Sequence, residues 1–556
     1  MLQCTKAVVV SVVCALVLKL LAVEAHATDY FVNIETGTDS AGTFGTSSDP
    51  FKTISYAMFR SISGDTIKVK GGTTTADYYT VANGESFPIY VKSGVDIDGD
   101  EASQSAWARI GGDLIDNSVD ADALFIIDAT AGDRNGIEIR DLKFMGEDET
   151  GVDSPVALLV AVSGGYGVND FIIEHNICYR PYQNASGSSG LATVHLSANN
   201  GGADGDIRNN IIDASNRGGI EVAATVTSSG SAYLSGLFID GNTVTTTSGA
   251  AASFGIAFHA TDSGATTIAM NGPTSISGNT VLGRGTMTVG IEIDCAEHTT
   301  YNHLHMDENI VSGCATDGIT FSADGWDASN QTRPEIAILS FDRNRVIENG
   351  GSGVVLTWDR DQDASGAGYI VFAAEGSLIA DNGDYGVKIR GFGSASYGST
   401  YSLTNCTVVY NADGGEGFTS LQLGSDETGE FDDTIWQHRN TIMYFNNSNG
   451  AQVIGLNSGP LGVVHSNVVY SDWKGLPTPL GTNLDTDPYF IDPARHDYHL
   501  DNSPLSPCVD KGSNTYVSSG TVVDIDGQDR IQDGDCTGTP AAVVDMGYDE
   551  LPENCP

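Results

Sequence analysis

An asparagine that returns about every 32 residues constrains this chain more than any other feature of it. It stands at Asn176, Asn210, Asn242, Asn279, Asn309 and Asn344, then, after Gly376 in the same place, at Asn405, Asn440 and Asn467. A second marker follows most of these positions: Gly219-Ile220, Gly255-Ile256, Gly290-Ile291, Gly318-Ile319, Gly353-Val354, Gly386-Val387 and Gly417-Phe418. The stretch 336–356, IAILSFDRNRVIENGGSGVVL, shows one whole unit: short strand, Asn turn, short strand, Gly-rich bend, short strand. Such runs are too short for helices and rich in β-branched residues. Each strand buries one face only, so a single unit cannot hold itself together and its neighbours must stack on it. Asn and Gly tolerate the left-handed turn, and stacked Asn side chains can bond one another from coil to coil. Three strands in each turn of about 32 residues predict a right-handed, single-stranded parallel β-helix of about 11–12 coils.

A solenoid can absorb all 556 residues as one body, where an ordinary globular fold would divide into several domains. The expected organisation is a signal peptide at 1–27, an N-terminal cap with the first coils at 28–100, the parallel β-helix at 101–475 and a loop-rich C-terminal region at 476–556. The opening MLQCTKAVVVSVVCALVLKLLAVEAHA has a basic residue, an apolar core and Ala25-His26-Ala27 before Thr28, which reads as a secretory signal cleaved after Ala27. No later stretch is apolar for long enough to span a bilayer. Cleavage removes Lys6, Lys19 and Glu24, leaving 24 basic residues against 71 acidic ones. Nucleic acid and anionic membrane surfaces are poor partners for such a body. The acidity suits a long solenoid's solubility or life in salt, and it also permits calcium. Of the seven remaining cysteines, Cys508, Cys536 and Cys555 are the expected source of one disulfide, with a buried free thiol such as Cys178 or Cys406 left over.

Residues 28–100 differ from the coils. A helix is expected from Asp49 to Ser61, capped by Asp49 or Ser48, opened by Pro50 and laid over the first coil through Phe51, Ile54, Ala57 and Met58. Phe31-Val32, Gly37-Thr38-Asp39, Pro50-Phe51-Lys52-Thr53-Ile54, Ala57 and Gly64-Asp65-Thr66-Ile67-Lys68-Val69 resemble the N-terminal module, itself of unknown function, of secreted bacterial pectate-lyase-like β-helix proteins. The tail resembles the choice-of-anchor C-terminal region of that family through Asp487-Pro488-Tyr489-Phe490, Asp497-Tyr498-His499-Leu500, Ser503-Pro504, Asp510-Lys511-Gly512, Asp524-Ile525-Asp526-Gly527, Arg530 and Asp545-Met546-Gly547-Tyr548-Asp549-Glu550. The resemblance implies a monomeric, secreted or cell-surface protein whose partner is an extracellular polysaccharide, and members include lyases, hydrolases, epimerases and surface proteins.

The resemblance also implies where a ligand lies: along the sheet built from the strand after the Gly-rich bend. Alternation points Ile220, Ile256, Ile291, Ile319, Val354, Val387 and Phe418 inward. Glu221, Ala257, Glu292, Thr320, Val355, Lys388 and Thr419 then point outward, followed by a second outward column of Ala223, His259, Asp294, Ser322, Thr357 and Arg390. His259 falls one coil from Glu292 and Asp294, whose origins lie roughly 7 Å apart on one strand. Two carboxylates so placed suit acid–base work on a glycosidic bond, or calcium held against an acidic sugar. Lys388 and Arg390, about 14 Å further along, suit the base of a uronate lyase, or simple pairing with Asp384 or Asp381. Trp326, Trp358 and Trp436 suit sugar stacking or loop cover alike. Asp524, Asp526 and Asp529 alternate as in a calcium loop, without the twelfth-position Glu of an EF-hand. Two functions follow from these residues: a protein that binds and cleaves a polysaccharide by lyase or hydrolase chemistry, or a non-enzymatic adhesin whose Thr- and Ser-rich columns form a flat face.

Overall fold

The computed structural model describes residues 27–552 except 75–76, 112–122, 146–155, 180–190, 227–230, 247–250, 263–267, 271–272, 296–298, 324–333, 359–368, 392–399, 412–420, 425–434, 447–452, 455–467, 475–481, 521 and 537–541. The strands build three long parallel sheets of 15, 12 and 12 strands, each strand paired with its equivalents one coil before and one coil after. The first sheet runs from Asp29–Val32 to Val468–Val469 and precedes the Asn turn. The second, of short strands from Arg109–Gly111 to Asp472–Trp473, follows that turn. The third, from Ile89–Tyr90 to Val453–Ile454, follows the Gly-rich bend. The chain is a parallel β-helix, and its interior is a continuous stack of Ile, Val, Leu and Phe. Among the described residues no helix is long and apolar enough to cross a membrane.

The Asn turn has two positions, not one. A residue with left-handed backbone comes first: His175, Asn209, Gly241, Gly278, Glu308 and Arg343 have φ of 53–66°, for example 55° at Asn209 and 53° at Arg343. The buried ladder residue follows it. Each of Asn176, Asn210, Asn242, Asn279 and Asn309 donates its backbone N–H and its Nδ2 to the Oδ1 of the next Asn, as Asn309 does to Asn344 at 2.9 and 3.0 Å. The same Nδ2 also donates to a carbonyl one coil back, Ile276 for Asn309. Beyond Asn344 the expected register is off by one. Gly376, Asn405 and Asn440 are left-handed residues (φ 62°, 50° and 51°), and Ser377, Cys406, Thr441 and Ser471 occupy the ladder. Asn and Gly suit both positions, so either can be mistaken for the other. Asn467 lies outside the described residues. A second ladder, Asn349–Asn382–Asn411–Asn446, closes the far end of the second sheet and was not anticipated.

The Gly marker has a steric cause. A Cβ on Gly219, Gly255, Gly290, Gly318 or Gly353 would come within 2.6–2.7 Å of the carbonyl oxygen of the next glycine in the stack. Coils can approach there only without side chains. The third sheet's register is as read from the marker, with Ile220, Ile256, Ile291, Ile319, Val354 and Val387 aligned. In the next coil, however, Leu421 and not Phe418 aligns with Val387, because Gly417-Phe418 imitates the marker inside 412–420, outside the described residues.

The N-terminal helix is shorter than expected, Ile54–Arg60. Its cap is Thr53, whose Oγ1 accepts from the N–H of Tyr56, and the Glu85 carboxylate accepts from the N–H groups of Ile54 and Ser55. Asp49 and Phe51 are instead committed to extended pairings, Phe51 with Val32. Ile54, Ala57 and Met58 are buried, and the helix packs on the first strands. At the other end, the tail lies on the outer face of the second sheet: Phe490, Tyr498, Leu500, Val509, Met546 and Tyr548 pack with Leu378, Ala380, Val409, Ile442 and Tyr444. The strands Leu378–Ala380, Thr407–Val409 and Ile442–Tyr444 are accordingly buried on both faces, whereas Thr243–Thr245 and Thr280–Leu282 bury one. Cys536 is disulfide-bonded, while Cys178, Cys295, Cys314, Cys406 and Cys508 are buried free thiols.

Candidate functional site

Register places one column of outward residues on the third sheet in the order His195, Glu221, Ala257, Glu292, Thr320, Val355, Lys388, and a parallel one in the order Ser197, Ala223, His259, Asp294, Ser322, Thr357, Arg390. His259 reaches across Ala257 to join two members of the first column. Its Nδ1 lies 2.7 Å from Glu221 Oε1 and its Nε2 lies 3.3 Å from Glu292 Oε2. Only a side chain as small as Ala257 leaves room for an imidazole to bridge residues two coils apart.

Glu221 is the hub of the cluster. It points outward, as alternation predicts, yet its side chain is only 2% exposed, against 17% for His259 and 33% for Glu292. Its Oε2 meets His195 Nδ1 at 3.1 Å, and Arg217, from the preceding bend, donates Nη2 to Oε1 at 2.6 Å and Nε to Oε2 at 3.2 Å. Burial alone would push the Glu221 carboxyl up, but hydrogen bonds from His195, His259 and Arg217 outweigh it and hold the group well below the usual carboxylate range. Burial likewise pulls His259 down, and its hydrogen bonds to Glu221 and Glu292 reverse that, pushing its pKa up to about 9. His259 is therefore an imidazolium at neutral pH, pinned between a buried carboxylate and a half-exposed one. The approach of Arg217 Nη2 to His259 Nδ1, 3.2 Å, is then two donors converging on one oxygen rather than a bond between them.

Phe254 holds this arrangement from the side. Its ring is fully buried, sits edge-on to the His259 ring at 5.1 Å and lies under the Arg217 guanidinium at 5.3 Å. Gly218 makes that possible, since a Cβ there would meet the Phe254 ring at 2.1 Å. Sequence spacing brought His259 and Glu292 together correctly but passed over His195, Arg217 and the part played by Glu221. The column His195–Glu221–Ala257–Glu292 was readable from coil spacing; the burial of Glu221 was not.

The other sequence candidates fall elsewhere. Asp294 aligns with His259 and Ser322 and shares the strand Met287–Cys295 with Glu292. Lys388 lies three coils above Glu292, 4.0 Å from Asp384 and over the ring of Tyr385 at 4.9 Å, its side chain 13% exposed. Arg390 is on the same strand, aligned with Thr357, and its side chain is outside the described residues, like those of Trp358 and Trp436; Trp326 lies in a segment outside them altogether. Asp381 pairs with His496 of the tail at 2.7 Å, not with Lys388.

In the tail, Asp524, Asp526 and Asp529 do not share a site. Asp524 is fully buried and takes backbone N–H groups from Asp526, Gln528 and Glu550 on its two oxygens. Asp526 binds His499 Nε2 at 2.6 Å and Arg345 Nη2 at 3.0 Å. Asp529 bridges back to Val523. The groups whose donor atoms do converge, within 4.8 Å, are His499 with Asp526 and Asp549, and Asp510 with Asp533 and Asp535.

A family described only as a protein of unknown function, DUF1565, matches residues 35–119. No curated protein matches the chain. Among solved structures, a pectate lyase, Pel9A, is similar with 12% identity and a TM-score of 0.33, covering 95% of this chain and 97% of its own. A rhamnogalacturonan lyase gives 11% and 0.28 over 82% and 90%, and XylC in complex with xylose gives 12% and 0.36 over 83% and 87%. Likenesses at this level concern the solenoid and carry no argument about activity.

Proposed function

We propose that this chain is an extracellular polysaccharide-acting β-helix protein whose working site is the His259–Glu292–Asp294 cluster on the third sheet. The observation that carries the reading is the His259 cation held between buried Glu221 and half-exposed Glu292. A solvated surface cluster has no need of a buried carboxylate, an arginine and a packed phenylalanine behind it. Glycoside hydrolysis uses two carboxyl groups, one giving a proton to the departing oxygen and one taking a proton from water or attacking the sugar. In this reading Glu292, paired with His259, is the base or nucleophile and Asp294 the proton donor. Glu221, Arg217 and His195 position His259 and touch no substrate.

A hydrolase arrangement is better supported than a lyase one, because Lys388 is turned onto Asp384 and Tyr385. Calcium at the converging tail carboxylates belongs to this reading, and calorimetric titration of metal-free protein at millimolar calcium tests it: no heat removes the ion. One observation favours the adhesin instead, since Thr320, Ser322, Val355 and Thr357 make the sheet above the cluster small-sided and uncharged. Incubating the purified protein with a panel of neutral and acidic glycans, reading new reducing ends and unsaturated products, separates the alternatives. Reducing ends without unsaturation support hydrolysis, unsaturated products support a lyase, and binding without either product supports the adhesin.

A further inference from the structure

We infer that the outward face of this sheet takes uncharged glycan chains and turns uronates away. The inference rests on the polysaccharide reading above and concerns its substrate class. Recognition of a uronate needs a cation whose hydrogen bonds are free for the sugar carboxylate. Both cations of the cluster are already paired with protein carboxylates: Arg217 through Nε and Nη2 with Glu221, and His259 through both ring nitrogens with Glu221 and Glu292. Two carboxylates, Glu221 and Glu292, balance these two positive charges, so the patch offers a uronate no net positive charge.

Among the described side chains of the two columns, the further groups able to carry positive charge are His195, itself on Glu221, and Lys388. Above Glu292 and Asp294 come Thr320 and Ser322, then Val355 and Thr357; beside Glu221 come Ser197 and Ala223. The next cation in the first column, Lys388, is three coils away and faces Asp384. A polyuronate would lay one carboxylate after another along this face of a chain whose formal net charge is −46, and a cleft of one sign raises or lowers local ligand concentration strongly. Sugar hydroxyls face no such cost. A carboxylate such as Glu292 accepts from two neighbouring hydroxyls, and Thr320, Ser322 and Thr357 both give and accept hydrogen bonds. Coils about 4.8 Å apart present these groups at roughly one set per sugar of an extended chain.

Calorimetric binding of neutral pentose or hexose oligomers and of galacturonate oligomers of equal length, to the full chain, in chelator and again in millimolar calcium, tests the inference. Neutral oligomers are expected to bind at least tenfold more tightly in both buffers. Glu292→Gln with Asp294→Asn is expected to narrow that gap by raising uronate affinity several-fold. A galacturonate bound as tightly as the neutral oligomers in either buffer overturns the inference while leaving the polysaccharide reading intact. Binding of neither class overturns both.

Discussion

Glu221 on the middle coils and the carboxyls beneath the tail are both buried, and the fold drives them in opposite directions. Around Glu221 the contacts are cationic or able to become so, and the group is held low. Around Asp472, Asp545, Asp549 and Glu550 the contacts are mainly backbone amides, a thiol and other carboxyls, and His499 beside Asp549 and Arg530 near Glu550 do not offset burial. Burial pushes Asp472 up to about 7 and Asp549 to about 6. Asp545 is raised by burial and then by Asp510 and Asp549, and Glu550 by burial and then by Asp545, whose N–H its Oε2 receives. Amides satisfy a buried carboxylate's hydrogen bonds without neutralising its charge, whereas Arg217 and His259 do both. The ladders beneath the two regions differ as well: Asn under the middle coils, Ser377, Cys406, Thr441 and Ser471 under the tail.

The largest effect should come from pH at the tail. A carboxyl whose folded pKa is raised stabilises the fold fully below its unfolded pKa, and that stability is lost as pH rises through the folded value. Asp472 thus loses its contribution between about pH 4 and pH 7, a displacement worth roughly 4 kcal/mol. His496, raised mainly by its hydrogen bond to Asp381, and His499, pulled down by burial but raised overall by Asp549, Asp497 and Asp526, add losses of the same sign at higher pH. Chemical denaturation followed from pH 5 to 9 should show a falling midpoint, with Asp472→Asn flattening the lower part of that slope. A midpoint that rises with pH breaks the comparison. Glu221 works the other way, its stability present above the unfolded carboxyl pKa and lost only in acid.

Next in size, Glu221→Ala strands the Arg217 charge and leaves His259 with Glu292 alone, and should cost about 3 kcal/mol. Glu221→Gln keeps the shape, and NMR titration of the His259 ring should show its pKa falling from about 9 toward the ordinary histidine value. An unmoved titration would mean that Glu292 alone holds the ring. The smallest effects separate the two turn positions. Asn309→Ala in the ladder should cost on the order of 1–3 kcal/mol, because it leaves buried backbone groups without partners. Asn209→Gly, at an exposed left-handed residue with φ 55°, should cost well under 1 kcal/mol, since glycine takes that backbone freely. Equal losses in denaturant midpoints would erase the distinction between the two turn positions.

The same contrast explains what could be read in the sequence. Coil period and the Gly marker gave the third sheet's register, because only glycine fits the stack at Gly290 or Gly318, and that register alone joined His259 to Glu292. It failed where one residue type serves two backbone states, at Gly376, Asn405 and Asn440. Glu221 looked like surface because alternation tells which side a residue faces and nothing of what covers it there. Tail docking was hidden for a similar reason. Leu378 and Ile442 signal two-sided burial by being apolar, but Tyr498 and Tyr548 of the same cluster lie far along the chain in the tail.

The most direct test of the account measures reducing ends released from the best-bound neutral glycan by His259→Ala, Glu292→Gln, Asp294→Asn and Lys388→Ala. The account predicts losses of roughly 10²-fold or more in the first three, the scale of a lost acid–base group, with Lys388→Ala within about twofold of the parent. Parental turnover in His259→Ala and Glu292→Gln, or a loss confined to Lys388→Ala, would contradict it.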